Sequence, residues 1–384
     1  MEGYKDLIEV AKSNTGLDDF GGDTFREGLE ILVGSLNDEG KLNATGEGFI
    51  REQILNYLSQ RLQIEDWYRR HPEIDEVELG RPLIGVSLPR TGSSALSFLL
   101  SSDPDIRYLR TWESQQPCPP PSTVDGPDPR RAAFAERMGT SPTPQRTPTG
   151  VDGAMECQDM MALTFTSQTF QAYAKIPRYS DWFLDADLTE TYLYERRVLK
   201  LLQWGEPSKP WRLKCPTHIL YMPFLDNAFP DARYVMTHRD PTDVILSVAS
   251  LYAEFNGSFS DTVDHLYLGE LNTRCWSEGM RRLIDFREQD GNDSRFFDIH
   301  FRAMHDDPAG QVRGLYDWLG ESVSPEFEEA MQLWWEQNEA RERYTKPDPS
   351  VFGIDYDDVR KLFSGYLERM GSWAPYEENS ATAG

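Results

Sequence analysis

Between Leu83 and Ser94 the chain reads Leu-Ile-Gly-Val-Ser-Leu-Pro-Arg-Thr-Gly-Ser-Ser, an apolar run giving way to a polar, glycine-bearing turn. The apolar half predicts a buried strand over 83–88, and Ala95 to Leu100 predicts a helix. A strand, a tight turn and a helix in that order form a cradle for an anion. The glycine lets backbone approach the ligand, and the turn amides, the hydroxyls and the helix N-terminus all direct positive charge at one spot. The order of residues is not that of a Walker A loop, which carries Lys after its second glycine. Here Ser93 follows Gly92, and the cation, Arg90, precedes it.

A second segment repeats the pattern. Ala232 to Thr237 reads as a strand, followed by His238-Arg239-Asp240-Pro241 and an apolar helix pattern through Ser247. Asp240 suits the N-cap and Pro241 the first helical position, where a missing N–H costs nothing. Arg239 then ends the strand, and Ser247 lies about two turns into the helix, where it can face the same side. Together they are placed to grip a second phosphate. A third cation, Lys214, ends the apolar segment Trp211-Arg212-Leu213-Lys214 and stands just before Cys215-Pro216-Thr217-His218.

Arg90-Thr91-Gly92-Ser93-Ser94 resembles the 5'-phosphosulfate loop of sulfotransferases that use 3'-phosphoadenosine 5'-phosphosulfate (PAPS), and Arg239 with Ser247, about 150 residues later, resembles the 3'-phosphate motif of the same family. The resemblance covers roughly residues 80 to 375 and rests mainly on these two motifs. It implies an α/β, three-layer, P-loop-like fold with a central parallel sheet flanked by helices. It also implies sulfuryl transfer from PAPS to a hydroxyl or amine of a small or medium-sized acceptor. Arg90, Thr91, Gly92, Ser93, Ser94, Arg239 and Ser247 would bind the donor, and Lys214, in a segment resembling the family's K-x-P, would sit beside the bridging oxygen. For the base, Glu113 in Arg110-Thr111-Trp112-Glu113-Ser114 resembles the glutamate of tyrosylprotein and mycobacterial glycolipid sulfotransferases. His218 is the alternative, by analogy with the histidine-based branch. Glu156 and Asp159 fall where they can line an acceptor pocket, although a solvated helix face explains them more simply. No metal is expected to be required, because side-chain cations can neutralise a sulfuryl group as magnesium does a phosphoryl group. The rival readings are a P-loop kinase-like phosphotransferase, which lacks its Walker lysine here, and a non-catalytic nucleotide-binding module.

Charge narrows the partners. The 384 residues carry a formal net charge of −25, which repels nucleic acid, polyanions and anionic membranes but leaves room for a small anion in a cationic cleft. The four cysteines, Cys118, Cys157, Cys215 and Cys275, contain no C-x-x-C pair, so neither a zinc site nor a disulfide framework is expected from spacing. No apolar run reaches the roughly 18 residues of a membrane span, and the start Met1-Glu2-Gly3-Tyr4-Lys5-Asp6 reads as no signal segment, so a cytoplasmic protein is expected.

Residues 1–80 carry helical periodicity, with Leu29, Leu32, Val33 and Leu36 on one face and Ile54, Leu55, Leu58 and Leu62 on another. They are expected to form an N-terminal helical subdomain packed on an α/β domain at 81–375, with strands at 83–88, 106–109, 211–214, 233–237 and 295–300. The proline-rich stretch 114–150 is too long for an ordinary connector and is expected to act as a lid. Residues 376–384 read as a disordered tail.

Overall fold

Five short parallel strands build one sheet in the computed structural model, β1 (Leu83–Gly85), β2 (Arg107–Tyr108), β3 (Trp211–Lys214), β4 (Arg233–His238) and β5 (Phe296–His300), in the spatial order β2-β3-β1-β4-β5. The structure describes residues 1–138, 150–289, 291–338 and 346–375; the prolines at 142, 144 and 148, the segment 341–345 and the tail 376–384 lie outside it. The strands fall where expected: β1, β2 and β5 are shorter, β3 is unchanged and β4 runs one residue further, to His238. Past Gly85 the first of them leaves the ladder, because the chain must begin its turn. Val86 and Leu88 nevertheless remain fully buried, and Val86 N–H still donates to the carbonyl of Val235.

Both faces of the sheet are covered, which makes three layers. Leu83, Leu96, Leu99, Val235 and Ile299 pack on one face against Val312, Leu315 and Tyr316 of the helix Pro308–Leu319. The other face carries the larger core. It takes in Ile84, Val86 and Met236 of the sheet region together with Leu29, Leu32, Ile54 and Leu58 from the helices Phe25–Glu39 and Ala44–Arg70. The long helix Ala44–Arg70 begins at Asn43, whose side chain accepts from Gly46 N–H, and ends two residues ahead of Pro72, where a helix cannot easily continue. Leu55, expected on the buried stripe, is only partly buried because it lies at the margin of that stripe.

The order of the strands decides where a ligand binds. From β1 the chain crosses to the β2–β3 side, and after β3 it returns past β1 to β4, so the connections diverge at β1. In an open parallel sheet, ligands lodge beyond the carboxyl ends of the strands at such a divergence. The Leu88–Gly92 turn, Lys214 and Arg239 all leave the sheet at that end.

Candidate active site

The turn after β1 is tightly curled. Arg90 has φ of 63° and Gly92 a φ of 89°, both in the left-handed region. For glycine this conformation is free of steric cost, whereas for Arg90 it is costly and must be held by neighbours. The holding contacts are visible. Thr91, fully buried, donates its hydroxyl proton to Leu88 carbonyl oxygen at 2.8 Å, and its Oγ1 lies 2.6 Å from that of Thr237 on β4. Thr237 N–H in turn donates to Ser87 Oγ at 2.8 Å. Thr91 is thus a structural pin whose hydroxyl is spent on the protein. The turn leads directly into the helix Ser93–Leu100.

Arg90 is the junction of both phosphate motifs. Its Nε donates to Ser247 Oγ at 3.2 Å, and its carbonyl accepts from Arg239 Nη1 at 2.8 Å. Arg239 also lies over the ring of Phe301, 4.5 Å from its centroid, and 3.6 Å from the carboxylate of Asp243. The helix that carries Ser247, Pro241–Phe259, starts as the sequence predicts, with the Asp240 side chain accepting from Thr242 N–H. The expected members of the donor site, Arg90, Ser247 and Arg239, therefore converge.

Lys214 reaches the same place by a route that explains Gly85. The two residues are paired across β1 and β3, and the lysine stem lies over the central strand. A Cβ on Gly85 would stand 2.8 Å from Lys214 Cγ. The stem is buried along its length, with only 8 % of the side chain exposed. At its tip the ammonium donates to Ser94 Oγ at 3.2 Å and to the carboxylate of Glu156.

A cavity of about 580 Å³ opens at this point, with Pro89, Arg90, Ser93, Ser94, Lys214 and Glu156 in its wall. Glu156 precedes the short helix Gln158–Ala162 and keeps 32 % of its side chain exposed to the cavity and solvent. Asp159 lines the cavity as well, but its oxygens accept from Tyr57 and Ser114 hydroxyls at 2.8 and 2.7 Å. Burial pushes the Asp159 carboxyl up, against the pull of those two donors.

Neither residue expected as the base lines this cavity. Glu113 is fully buried at the start of the helix Thr111–Gln115. It accepts from Arg107 Nη2 at 2.8 Å, Arg110 Nη1 at 3.2 Å and Arg110 N–H at 3.4 Å, so its carboxylate closes the turn between β2 and that helix. His218, also fully buried, sits in the turn Pro216–Leu220 with Nδ1 3.0 Å from the Tyr192 hydroxyl. Burial pushes it down to about 3, with Lys214 adding to the effect. The carboxylate that does face the cavity beside the lysine is Glu156, which the sequence offered only as a pocket-lining residue.

A sequence model described as the sulfotransferase family matches residues 82–325, well over half of the chain. The chain belongs to the sulfotransferase family. Two solved structures are similar to this sulfotransferase over nearly its whole length. Sulfotransferase STF9 from Mycobacterium avium is 29 % identical, with 96 % of each chain covered and a TM-score of 0.88. Sulfotransferase STF1 from Mycobacterium tuberculosis H37Rv is 27 % identical, with 94 % of this chain and 98 % of that one covered and a TM-score of 0.82. Among curated proteins, the omega-hydroxy-beta-dihydromenaquinone-9 sulfotransferases Stf3 of Mycobacterium bovis and Mycobacterium tuberculosis are each 28 % identical over 152 residues, a segment spanning 38 % of this chain and 38 % of theirs.

The rest of the cavity wall shows what else this sulfotransferase can hold. Away from Lys214 it is built of rings, among them Phe49, Phe98, Phe134, Tyr173, Phe255 and Trp276. Phe49 comes from the helix Ala44–Arg70, so the N-terminal part of the chain forms part of the cavity. Phe134, Arg137 and Met138 come from the helix Pro129–Met138, within the proline-rich stretch expected to be a lid. Among the described residues no helix is long and apolar enough to cross a membrane.

Proposed function

We propose that this sulfotransferase transfers a sulfuryl group from PAPS to a hydroxyl on a small or medium-sized acceptor with a largely apolar, ring-compatible body. One observation carries the reading. The Lys214 ammonium lies between a hydroxyl of the donor loop and the Glu156 carboxylate, at the edge of an aromatic cavity. The curated relatives support the acceptor class, since the substrate in their name is an omega-hydroxyl on an apolar molecule.

The curled turn with Arg90 at its centre and the helix N-terminus at Ser93 fits the 5' end of the donor, and Arg239 with Ser247 fits the 3'-phosphate. PAPS supplies a sulfuryl group whose sulfur accepts the acceptor oxygen as its bond to the bridging phosphate oxygen breaks. Glu156 takes the proton from the incoming hydroxyl. Lys214 and Arg90 hold the charge that develops on the departing phosphate. The segment Pro129–Met138 covers the acceptor as a lid.

The direct test is an assay of radiosulfur transfer from labelled PAPS to a panel of hydroxylated aromatic and polyprenyl compounds, beside sugars and peptides. Transfer confined to sugars or peptides, or none to any acceptor while 3'-phosphoadenosine 5'-phosphate (PAP) binds, overturns the proposal. Two further results are expected. Arg239→Ala weakens PAP by about 10- to 100-fold, the range for loss of charge-assisted hydrogen bonds, and weakens an analogue lacking the 3'-phosphate far less. Calorimetry with both ligands decides it, and equal losses remove Arg239 from the 3' site. Because Arg90 and Lys214 bring the needed cations from the chain itself, turnover persists in excess EDTA and does not rise with added magnesium. A loss restored only by magnesium contradicts this.

A further inference from the structure

Beneath the active site lies a polar cluster that the transfer reaction does not use. Cys157, Glu195 and His218 are all fully buried, and a sulfur, a carboxylate oxygen and a ring nitrogen from the three lie within 4.8 Å of one another. They come from three separate elements: the turn before the helix Gln158–Ala162, the helix Thr189–Gln203 and the turn Pro216–Leu220. Nε2 of His218 has no hydrogen-bond partner, and the Glu195 carboxylate has none beyond a weak contact with the neighbouring Cys157 thiol. Buried polar atoms are almost always paired, so unsatisfied groups gathered this closely call for a missing occupant.

We propose that Cys157, Glu195 and His218 bind one zinc ion, with a water in its fourth position, at a site separate from the donor and acceptor sites. The donor set fits. Thiolate sulfur, carboxylate oxygen and imidazole nitrogen are the three ligand types zinc takes, at about 2.0–2.3 Å, and ligands on a common ion fall within the mutual spacing seen here. The charges also balance, since a divalent ion with one thiolate, one carboxylate and a neutral imidazole is neutral overall. A neutral complex tolerates burial. Burial pushes the Glu195 carboxyl up to about 8, and burial together with the neighbouring Glu195 pushes the Cys157 thiol well above its ordinary value. His218 has the outer partner expected of a ligand. Its Nδ1 faces the Tyr192 hydroxyl at 3.0 Å, which fixes the ring, and with Nδ1 as donor to that oxygen the unpartnered Nε2 is the ligating atom.

The location gives the ion a use. Cys157 adjoins Glu156, and His218 follows Lys214 by four residues. One ion would tie the segments bearing both reactive side chains to the helix Thr189–Gln203.

The experiment uses the full-length chain expressed with added zinc and dialysed exhaustively against metal-free buffer. Elemental analysis is expected to find about one zinc per chain, and below about one tenth in Cys157→Ser and in Glu195→Gln. Cobalt(II), introduced by unfolding and refolding, is expected to give a thiolate-to-cobalt charge-transfer band that Cys157→Ser lacks. Should a variant fail to fold, the zinc content of the unaltered chain together with its cobalt spectrum decides. Metal-free protein that shows no cobalt band, or zinc that remains at full content in both variants, overturns the site. This outcome does not depend on the transfer assay, so either proposal can fail alone.

Discussion

Glu156→Gln lowers the single-turnover rate by roughly 100-fold or more, the usual cost of removing a general base, while PAP affinity stays nearly unchanged. The substitution keeps the shape of the side chain and one acceptor oxygen for the Lys214 ammonium, and removes its charge and its ability to take a proton. Its neighbours make the outcome specific. Glu113→Gln, by contrast, acts on a buried carboxylate clasped by Arg107 and Arg110 outside the cavity lining. It is expected to lower thermal stability and change the rate little once the protein is folded. His218→Asn removes a ligand of the proposed ion and is expected to lower stability, while the pH profile of turnover stays unmoved. Rates within threefold of wild type for Glu156→Gln, with Glu113→Gln inactive but fully folded by circular dichroism, would return the base to Glu113.

Lys214→Met lowers the same rate by about 100- to 1000-fold, the range for loss of one preorganised donor to developing negative charge. Methionine retains the apolar stem that crosses Gly85, so the strand packing survives and the missing ammonium accounts for the loss. Lys214→Arg restores only part of the rate, because a planar fork needs more room than the site over β1 provides for a single ammonium. Saturating donor in the single-turnover assay separates this loss from weaker binding. A Lys214→Met enzyme that turns over normally would assign the leaving group to Arg90.

The parts of this site that were legible in the sequence are those whose chemistry is local. Arg90 to Ser94 and Arg239 to Ser247 each lie within one strand–turn–helix unit, so their geometry follows from strand polarity and helix capping. Lys214 was legible for a related reason, as the last residue of an apolar strand. Glu156 was not. Its position depends on an antiparallel bridge between Arg110 and Ala154 and on a cavity walled by a helix about 100 residues upstream. Two acids three residues apart, just ahead of the apolar Met160 to Leu163, were the available hint. Glu113, read from the sequence as the base, is also spaced from Arg110 so that its side chain folds back to its own helix start, and that is the contact the structure holds. The cluster of Cys157, Glu195 and His218 offers no spacing at all, since three elements contribute one residue each.

Because the carbonyl of Arg90 is held by Arg239, and its side chain by Ser247, the residues proposed to read one end of the donor also fix the shape of the loop at the other. On that proposal, selection among adenine nucleotides is expected in the rate as well as the affinity. A cheaper donor without its 3'-phosphate leaves Arg239 and Ser247 without their ligand and Arg90 less firmly seated, so it reacts slowly even when forced into the site. Retuning the enzyme to such a donor requires rebuilding the Leu88–Gly92 turn, and substituting Arg239 alone works against it.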